Sequence, residues 1–380
     1  MSDQKCKTRL KICHATSVHP LNHLRVLHKF ARSQADYGHE VHLVGFQDTD
    51  YRQGVHYFDQ IRIESLEDGH IKNRLRRATI GAFTVIKKAI NLQPDLIVIH
   101  DPELIIFALW ARILGIRVIF DAHEDHLSQN KYKMWVKGWK KPLLLGYTWF
   151  LQKCAGLTCW RITAVTQGVA DRFPVHKTDI IRNFPLKNTA YLGPPVNRQS
   201  YKNRALYMGR ITPIRGGETM VKAAALSSRL DQLDLAGNFE SISYQEKLEQ
   251  LSGWDKTVYH GQLNQSELQQ LLGDVKIGLA ILEPTPNHLI SIPLKLLEYY
   301  AQGLPVIASN FPCWQEFVTH NQSGYLISPN DPQELADTLD KIFDDETYTH
   351  LSAQVKNEYM HQYEWEQEMM PWLRKIDLIW

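Results

Sequence analysis

Two arginines lie five residues apart beside glycines in a short segment near the middle of the chain, at Gly209, Arg210, Arg215 and Gly216. The segment follows an apolar run that is typical of a strand and precedes a helical pattern. Guanidinium groups pair with phosphate oxygens, glycine lets the backbone approach a ligand closely, and a helix N-terminus adds oriented N–H groups. The pattern indicates a pyrophosphate site, with ordinary strand-end arginines on a solvated loop as the alternative.

A second segment, residues 291–309, begins as a polar loop with Ser291 and continues as a helical pattern that carries Lys295 and Glu298. The helix is expected to end at Gly303, before an apolar strand. A carboxylate in the first half of such a helix can accept both hydroxyls of a ribose while the loop holds phosphates. The alternative is a solvent-facing helical glutamate, which the apolar neighbours of Glu298 disfavour.

The N-terminal half has two strand ends at which histidine stands beside carboxylates. His100 and Asp101 follow one buried-type strand, and His123 and Glu124 follow the next. Histidine and carboxylate at such spacing can ligate a metal, or form a general base with its orienting partner. A histidine that only donates structural hydrogen bonds is the third possibility, and the residues alone leave all three open.

Two series of alternating strand and helix patterns must position these groups. Strands are predicted at 9–14, 41–46, 95–100, 117–123 and 161–166, then at 204–209, 233–237, 258–261, 276–282, 305–309 and 324–328. Helices are predicted at 23–36, 80–93, 103–114, 217–229, 264–274 and 294–303, from Pro332 onward and within 357–380. Asn264 and Glu267 form a capping-box pattern, and Pro332 suits a first helical turn. The alternation is typical of α/β domains with parallel sheets.

The expected organisation is an N-terminal domain at 1–185, a linker at 186–202, a C-terminal domain at 203–360 and a final helix at 361–380 that packs back toward the N-terminal domain. Both domains are predicted to be Rossmann-like and doubly wound, facing one interdomain cleft. Open α/β sheets bind ligands outside the carboxyl ends of their strands. The candidate chemistry lies at those ends.

The bulk composition suits a globular protein without a membrane span. No run approaches the roughly 18 apolar residues that a span requires, and the polar N-terminus lacks the apolar core of a secretory signal. We therefore expect a cytoplasmic protein. Its five cysteines are too sparse to indicate a disulfide framework and are expected to be reduced thiols.

The net charge of +2 conceals opposite halves. Residues 1–185 hold 27 Lys and Arg against 17 Asp and Glu, whereas the rest of the chain holds 16 against 24. Within the basic half, residues 72–88 and 131–153 contain no acidic side chain, and 131–153 is also rich in Trp and Tyr. Basic and aromatic side chains together suit an anionic membrane surface, and we expect the protein to bind the inner face of the plasma membrane. A plain solvated face and nucleic-acid binding are the alternatives, the latter without any motif to support it.

Three segments together resemble the donor-binding half of the family-four glycosyltransferases, which have the GT-B fold. They are G-R-x4-R-G-G at 209–217, Y-H-G-x-L at 259–263 and P-x-K-L-x-E-Y-x-A-x-G-L-P-V-I-A-S at 293–309. The resemblance implies that Arg210 and Arg215 contact the donor diphosphate, that Glu298 binds the ribose and that Leu263 lies beside the base. Gly209, Gly216, Ser291 and Lys295 complete the expected donor site.

One position departs from this family. Many members carry a further glutamate eight residues before Glu298, and Ile290 stands there instead. That glutamate usually contacts the donor sugar, so the sugar is left open. In this respect the sequence is similar to a branch of polysaccharide-building enzymes that carry the motif P-x-K-L-x-E-Y.

In the N-terminal half the resemblance implies that His123 reaches the donor sugar and the forming bond, together with Arg210 and Arg215 as the catalytic set. His19, Arg25, His100, Asp101 and Glu124 are candidates on the acceptor side. Because the family is generally metal-independent, we expect neither a metal nor a cofactor. The family uses UDP-sugars most often, so a UDP-sugar is the expected donor.

The sequence therefore predicts a retaining glycosyltransferase. The expected reaction moves a hexose-type sugar from a nucleotide diphosphate to a glycan or lipid-linked oligosaccharide in surface polysaccharide assembly, such as capsule or exopolysaccharide. A sugar-nucleotide epimerase of the same fold and a noncatalytic sugar-nucleotide-binding protein are the alternatives. The loss of the glutamate at Ile290 favours the latter.

Overall fold

The computed structural model describes residues 9–67, 76–123, 140–187, 202–286, 288–289, 291–292, 294–359 and 362–380. The chain divides into two compact units. The first comprises Met1–Asn183 with Trp365–Trp380, and the second comprises Phe184–Glu364. Of the linker expected at 186–202, residues 188–201 lie outside the described part of the chain.

The first unit is built on a sheet with the strand order β3-β4-β2-β1-β5-β6-β7-β8. All neighbours are parallel except β3 and β4, which pair antiparallel. The strands are β1 (Lys11–Ala15), β2 (Glu40–Phe46), β3 (Gly54–Phe58), β4 (Ile61–Leu66), β5 (Leu96–Ile99), β6 (Arg117–Ala122), β7 (Arg161–Ala164) and β8 (Thr178–Ile180).

Helices accompany these strands along the chain. They are α1 (Leu24–Ala31, continuing as Arg32–Asp36), α2 (Arg77–Gly81, continuing as Ala82–Asn91), α3 (Pro102–Phe107, continuing as Ala108–Ile113), α4 (Lys140–Thr158) and the short α5 (Gln167–Ala170). Strands β1, β5 and β6 are almost wholly buried, because helices cover parallel sheets on both faces. Their carboxyl ends carry Ala15, His100 and Asp121 to a common edge of the sheet.

The second unit contains an entirely parallel sheet with the order β11-β10-β9-β12-β13-β14. Its strands are β9 (Arg204–Met208), β10 (Gln232–Ala236), β11 (Thr257–Gly261), β12 (Ile277–Ala280), β13 (Val306–Ser309) and β14 (Gly324–Ile327). The helices are α6 (Gly217–Leu226), α7 (Ile242–Glu249), α8 (Gln265–Asp274), α9 (Leu294–Ala301), α10 (Pro332–Ile342) and α11 (Asp345–Gln354, continuing as Val355–Tyr359). Strands β9 to β11 are added toward one edge of this sheet and β12 to β14 toward the other. The carboxyl ends of β9 and β12 are therefore the switch point, where doubly wound sheets bind ligands.

Local signals in the second unit agree with these bounds. The capping box at Asn264 and Glu267 opens helix α8 and is confirmed, as is Pro332 at the first position of α10. Helix α9 is fastened to the sheet by the buried Tyr299. Its hydroxyl accepts from the Met208 N–H at 3.2 Å and lies 2.9 Å from the Leu206 carbonyl oxygen. Helix α9 is thereby held against the end of β9.

The last helix, α12 (Trp365–Ile379), belongs to the first unit. The Trp365 indole donates to the Ser33 hydroxyl at 2.8 Å, and its ring packs edge-on against Phe30 with centroids 5.3 Å apart. Further along the helix, the Trp372 indole donates to the Asp179 carboxylate of strand β8 at 3.3 Å. In the part of the chain that the structure describes, no helix is both long and apolar enough to cross a membrane.

Candidate functional site

A cavity of about 1010 Å³ opens at the carboxyl ends of the strands in the second unit. Its wall comes from the residues that follow β9, β10, β11 and β12 and from the first turns of α9. Seven predicted donor-site residues line it: Gly209, Arg210, Arg215, Leu263, Ser291, Lys295 and Glu298. The structure therefore brings together side chains that are up to about ninety positions apart in the sequence, as the switch-point rule requires.

The turn after β9 contains two predicted donor-site glycines, of which Gly209 lines the cavity and Gly216 does not. Gly209 has a φ of 119° and Gly216 a φ of 68°, both in the region that favours glycine. A Cβ at Gly216 would lie 2.4 Å from the Ile281 carbonyl oxygen, so no larger residue fits there without displacing β12. Gly216 also caps the N-terminus of α6, whose first N–H groups follow the turn.

Three basic side chains, Arg210, Arg215 and Lys295, line the cavity beside this turn. Arg210 is exposed and Arg215 is half-buried. Burial raises the pKa of Tyr207 to about 12 in spite of the nearby Arg215, so this tyrosine stays neutral at physiological pH. Glu298, half-buried on α9, is the one carboxylate that lines the cavity among the described residues.

The Lys295 ammonium is the most unusual group of the cavity. Its Nζ is buried, lies 3.8 Å from the centroid of the Tyr207 ring and makes no hydrogen bond. Burial is the main cause that lowers the pKa of Lys295 to about 7, and the charge of Arg215 adds to it, whereas Glu298 acts in the opposite direction. A buried cation without a partner is costly unless a ligand supplies one.

Two polar lining residues, Asn238 and Gln262, were missed by the sequence analysis. Asn238 and Gln262 follow β10 and β11 and face each other, with the Asn238 amide donating to Gln262 at 2.9 Å. His288, from the loop before α9, also lines the cavity and contacts the Glu283 carbonyl oxygen through Nδ1 at 2.8 Å. The signal that could have found Asn238 and Gln262 was their place directly after predicted strands, where polar residues meet the ligand edge of the sheet.

In the first unit a buried polar network centres on Asp121, at the end of β6. Arg25 donates to both carboxylate oxygens, at 2.9 Å from Nε and 2.7 Å from Nη2, and Thr163 donates at 2.8 Å. Burial alone would raise the pKa of Asp121. The charge of Arg25 and the hydrogen bonds from His100 and His123 outweigh it and hold that pKa well below its usual value.

Two fully buried histidines extend this network into the sheet. His100 lies 3.2 Å from Asp121 through Nδ1 and 2.9 Å from His14 through Nε2, and His14 in turn lies 2.6 Å from Gln34. Burial, reinforced by His100, lowers the pKa of His14 to about 3, so His14 is neutral at physiological pH. His14 and Gln34 were not among the predicted site residues, although a histidine at the end of a buried strand was a visible signal.

On the more exposed side of Asp121, His123 meets His19. The two Nε2 atoms are 3.0 Å apart, and His19 Nε2 lies 3.3 Å from the Asp101 carboxylate. Asp101 also accepts from the Thr16 hydroxyl and from the Ser17 and Val18 N–H groups, at 2.8, 2.6 and 3.1 Å. The predicted residues His19, Arg25, His100, Asp101 and His123 thus form one cluster, whereas Glu124 lies outside the described residues.

The side chains of His100, Asp121 and His123 lie close enough to hold a metal ion, with their ligand atoms within 4.8 Å of one another. Both oxygens of Asp121 and both ring nitrogens of His100 already have protein partners. A cation there would also lie beside the Arg25 guanidinium, which repels it. The arrangement favours a hydrogen-bonded network over a metal centre.

Arg25 was predicted as an acceptor contact, and its contacts in the structure also join several elements of the first unit. The guanidinium is buried, lies 5.0 Å from the Phe30 ring centroid and 5.6 Å from that of Trp365, and reaches the Ile181 carbonyl oxygen at 3.2 Å. It therefore links β6, the segment after β8 and helix α12. Its contact with an acceptor stays a prediction.

Two family models match the chain, one in each unit. The model described as Glycosyltransferase Family 4 matches residues 24–180, and the model described as Glycosyl transferases group 1 matches residues 194–359. The chain is a family-four glycosyltransferase.

Solved structures share its fold along nearly the whole length. Sucrose-phosphate synthase of Thermosynechococcus elongatus is 16% identical with a TM-score of 0.75, covering 98% of this chain and 100% of that chain. Anabaena HepE, solved in complex with UDP, is 14% identical with a TM-score of 0.71 and the same coverage. The predicted GT-B fold of two parallel-sheet α/β domains is confirmed.

Curated relatives match over shorter segments. A D-inositol 3-phosphate glycosyltransferase of Arthrobacter is 28% identical over 174 residues, which cover 43% of this chain and 38% of the relative. An uncharacterized glycosyltransferase of Methanocaldococcus jannaschii is 26% identical over 174 residues, which cover 44% and 43%. The match spans less than half the length of either relative.

The Asp121 network predicts a large stability difference between two arginine substitutions. Arg25→Met leaves a buried carboxylate without its cation and should lower the free energy of unfolding by about 3–5 kcal/mol. Because the pKa of Asp121 is lowered on folding, its contribution is present above its unfolded pKa of about 4 and is lost as the pH falls further. Thermal unfolding at neutral pH measures the difference, with the exposed Arg52→Met as the control, expected to cost less than about 0.5 kcal/mol. Equal stability of the two variants would contradict this assignment.

Proposed function

We propose that this family-four glycosyltransferase is a retaining enzyme that moves a hexose-type sugar from a nucleoside diphosphate, UDP above all, to a glycan or lipid-linked oligosaccharide. The observation that carries the proposal is the cavity in which Arg210, Arg215 and Lys295 face a single described carboxylate, Glu298. This excess of cations at a glycine turn suits a diphosphate. UDP is supported by the complex of Anabaena HepE with UDP.

Within this proposal each group of the cavity has a task. The two arginines bind the diphosphate and stabilise the charge that it gains as the glycosidic bond breaks. Glu298 accepts the ribose hydroxyls from the side of α9, and Leu263 with its neighbours encloses the base. These protein cations neutralise the leaving group themselves, which supports a reaction without a metal or other cofactor.

Retention of configuration is part of the proposal. A double displacement needs two carboxyl groups about 5 Å apart across the sugar, and Glu298 is alone in the described wall of the cavity. A front-face attack, in which the acceptor hydroxyl enters on the side that the diphosphate leaves, agrees better with this wall. His123, held between His19 and Asp121, would support the sugar or its developing positive charge.

The helices of the first unit offer a surface that suits an anionic membrane at its inner face. Helix α3 packs against both α2 and α4, and Arg112 of α3 donates to the Leu157 carbonyl oxygen of α4 at 3.1 Å. Large apolar side chains stay exposed on α3 and α4: Leu109, Ile113, Leu143, Trp149, Phe150 and Leu157. Lys153 lies over the Trp149 ring at 5.7 Å, so cation and indole share one face.

This surface agrees in part with the predicted membrane segments. Residues 76–88 and 140–153 lie on α2 and α4 or directly before them, whereas 72–75 and 131–139 lie outside the described residues. Exposed apolar side chains with basic neighbours bind anionic lipid, each cation contributing about 1 kcal/mol. A membrane-bound acceptor in surface polysaccharide assembly, such as capsule or exopolysaccharide, would explain why a transferase carries such a face.

The donor proposal predicts a specific nucleotide response. In a thermal-shift panel of UDP, GDP, ADP and CMP, one diphosphate should raise the melting temperature by mass action. Glu298→Ala should abolish that response, because the ribose loses its acceptor. Glu246→Ala, an exposed helical glutamate of α7, is the matched control and should respond like the wild type. No response to any nucleotide would contradict the donor site, and a response without any sugar transfer would favour the noncatalytic alternative.

The membrane proposal predicts charge-dependent vesicle binding. The protein should sediment with vesicles of phosphatidylcholine and phosphatidylglycerol but not with phosphatidylcholine alone, and salt should weaken binding because it screens the cations. The double variant Trp149→Ala, Phe150→Ala should bind about tenfold more weakly, since it removes two interfacial aromatic side chains. Ile242→Ala, an exposed apolar residue of the second unit, is the control. Equal binding of all three proteins would overturn this surface as the membrane face.

A further inference from the structure

Lys295 places a buried amino group where the free protein gives it no hydrogen-bond partner. It stands on the first turn of α9, and its Nζ lies against the face of the Tyr207 ring without a hydrogen-bond partner. A desolvated ammonium normally has a carboxylate or several acceptors around it. The contact with the aromatic ring offsets only a part of that desolvation.

The groups that face Lys295 stabilise its charge only in part. Arg215, from the turn after β9, repels it, and Tyr207 of β9 stays neutral because burial raises its pKa to about 12. His288, from the loop before α9, has a lowered pKa, chiefly through burial. Glu298, on the same helix, is the attractive charge and is outweighed, so the pKa of Lys295 falls to about 7.

The same ammonium lies at the place where a diphosphate would approach the backbone. A Cβ built on Gly209 would be 3.5 Å from Lys295 Nζ and 3.7 Å from Arg215 Nη1. The absence of a side chain at Gly209 therefore keeps a space open next to two cationic groups. An anionic oxygen that enters this space supplies the acceptor that Lys295 lacks.

We propose that Lys295 takes up a proton from the solvent when the donor diphosphate enters the cavity and then holds it as a third cation beside Arg210 and Arg215. The inference rests on the proposed donor site. One proton passes from water or buffer to Nζ, and no bond of the donor changes. Lys295 thereby supplies a charge only while the donor is present, so the free enzyme is spared a third unbalanced cation.

The proposal makes donor affinity depend on pH with a definite sign. Above the pKa of the free enzyme's Lys295, binding requires a proton, and the affinity should fall about tenfold or more between pH 7 and pH 8.5. Well below that pKa the lysine is already charged, so its contribution no longer varies with pH. UDP-glucose is the suitable probe, because its diphosphate diester has no group that titrates near neutral pH.

Calorimetric titration with UDP-glucose at pH 8, in Hepes and in Tris, measures the protons taken up from the difference between the buffers' ionisation heats. The wild type should take up most of one proton per donor. Lys295→Met should take up almost none and bind about tenfold more weakly at pH 7. Lys247→Met, an exposed lysine of α7, should behave like the wild type.

The outcomes separate this inference from the proposed function. Tight binding by the wild type without proton uptake would overturn the role of Lys295 and leave the donor site standing. Uptake that persists in a folded Lys295→Met protein would assign the proton to another group and overturn it equally. Because the wild type's proton number and pH profile carry the test, a poorly folding variant does not obscure it. No binding of any diphosphate by the wild type would overturn the donor site and this inference together.

Discussion

The cavity of the second unit is governed by an imbalance of charge. Arg210, Arg215 and Lys295 contribute three basic groups, and among the described lining residues only Glu298 carries the opposite charge. The lowered pKa of Lys295 limits this excess in the free protein, and a bound anion would balance it, since like charges at short distance destabilise the folded state. The glycine turn, the bare backbone at Gly209 and the buried Nζ of Lys295 are all consistent with an anion of two phosphates.

The first unit contains the opposite case, a carboxylate that is buried inside the protein. Asp121 is buried completely and is stabilised by Arg25, Thr163 and His100. Since Arg25 also contacts the ring of Trp365, the network depends on the last helix of the chain as well as on the sheet. The histidine pair of His123 and His19 lies at the more exposed edge of this network, which therefore fixes the orientation of the only predicted catalytic side chain in the unit.

Local patterns predicted much of this architecture. The glycine turn at 209–217, the capping box of α8 and the buried strands of both sheets follow from residue type and spacing, which act over short distances. The hairpin of β3 and β4 was missed, because β4 mixes charged and apolar residues and the turn, at Asp59 and Gln60, lacks glycine. Helix α4 was also missed, since its basic and aromatic residues were interpreted as a membrane-binding surface and no helix was predicted there.

Contacts between distant segments were beyond the sequence. Nothing local shows that Lys295 lies against Tyr207, some ninety residues earlier, or that Gln34 and His14 continue the Asp121 network. The tertiary fold decides these burials, and burial in turn decides which of the candidate side chains are charged. Seven of the eight donor-site residues that the family resemblance implies line one cavity, because the family's motifs encode that fold.

Cleavage of UDP-glucose in the absence of an acceptor tests the central claim most directly. Proton NMR of the anomeric signals shows both whether the donor is cleaved and which anomer of the sugar is released first. A retaining transferase should release the sugar with the donor's own α configuration before mutarotation, and Arg210→Ala should lose about 100-fold or more of this activity, because the leaving diphosphate loses a cation. Cleavage by Arg210→Ala at the wild-type rate, or release of the β anomer first, would contradict the account.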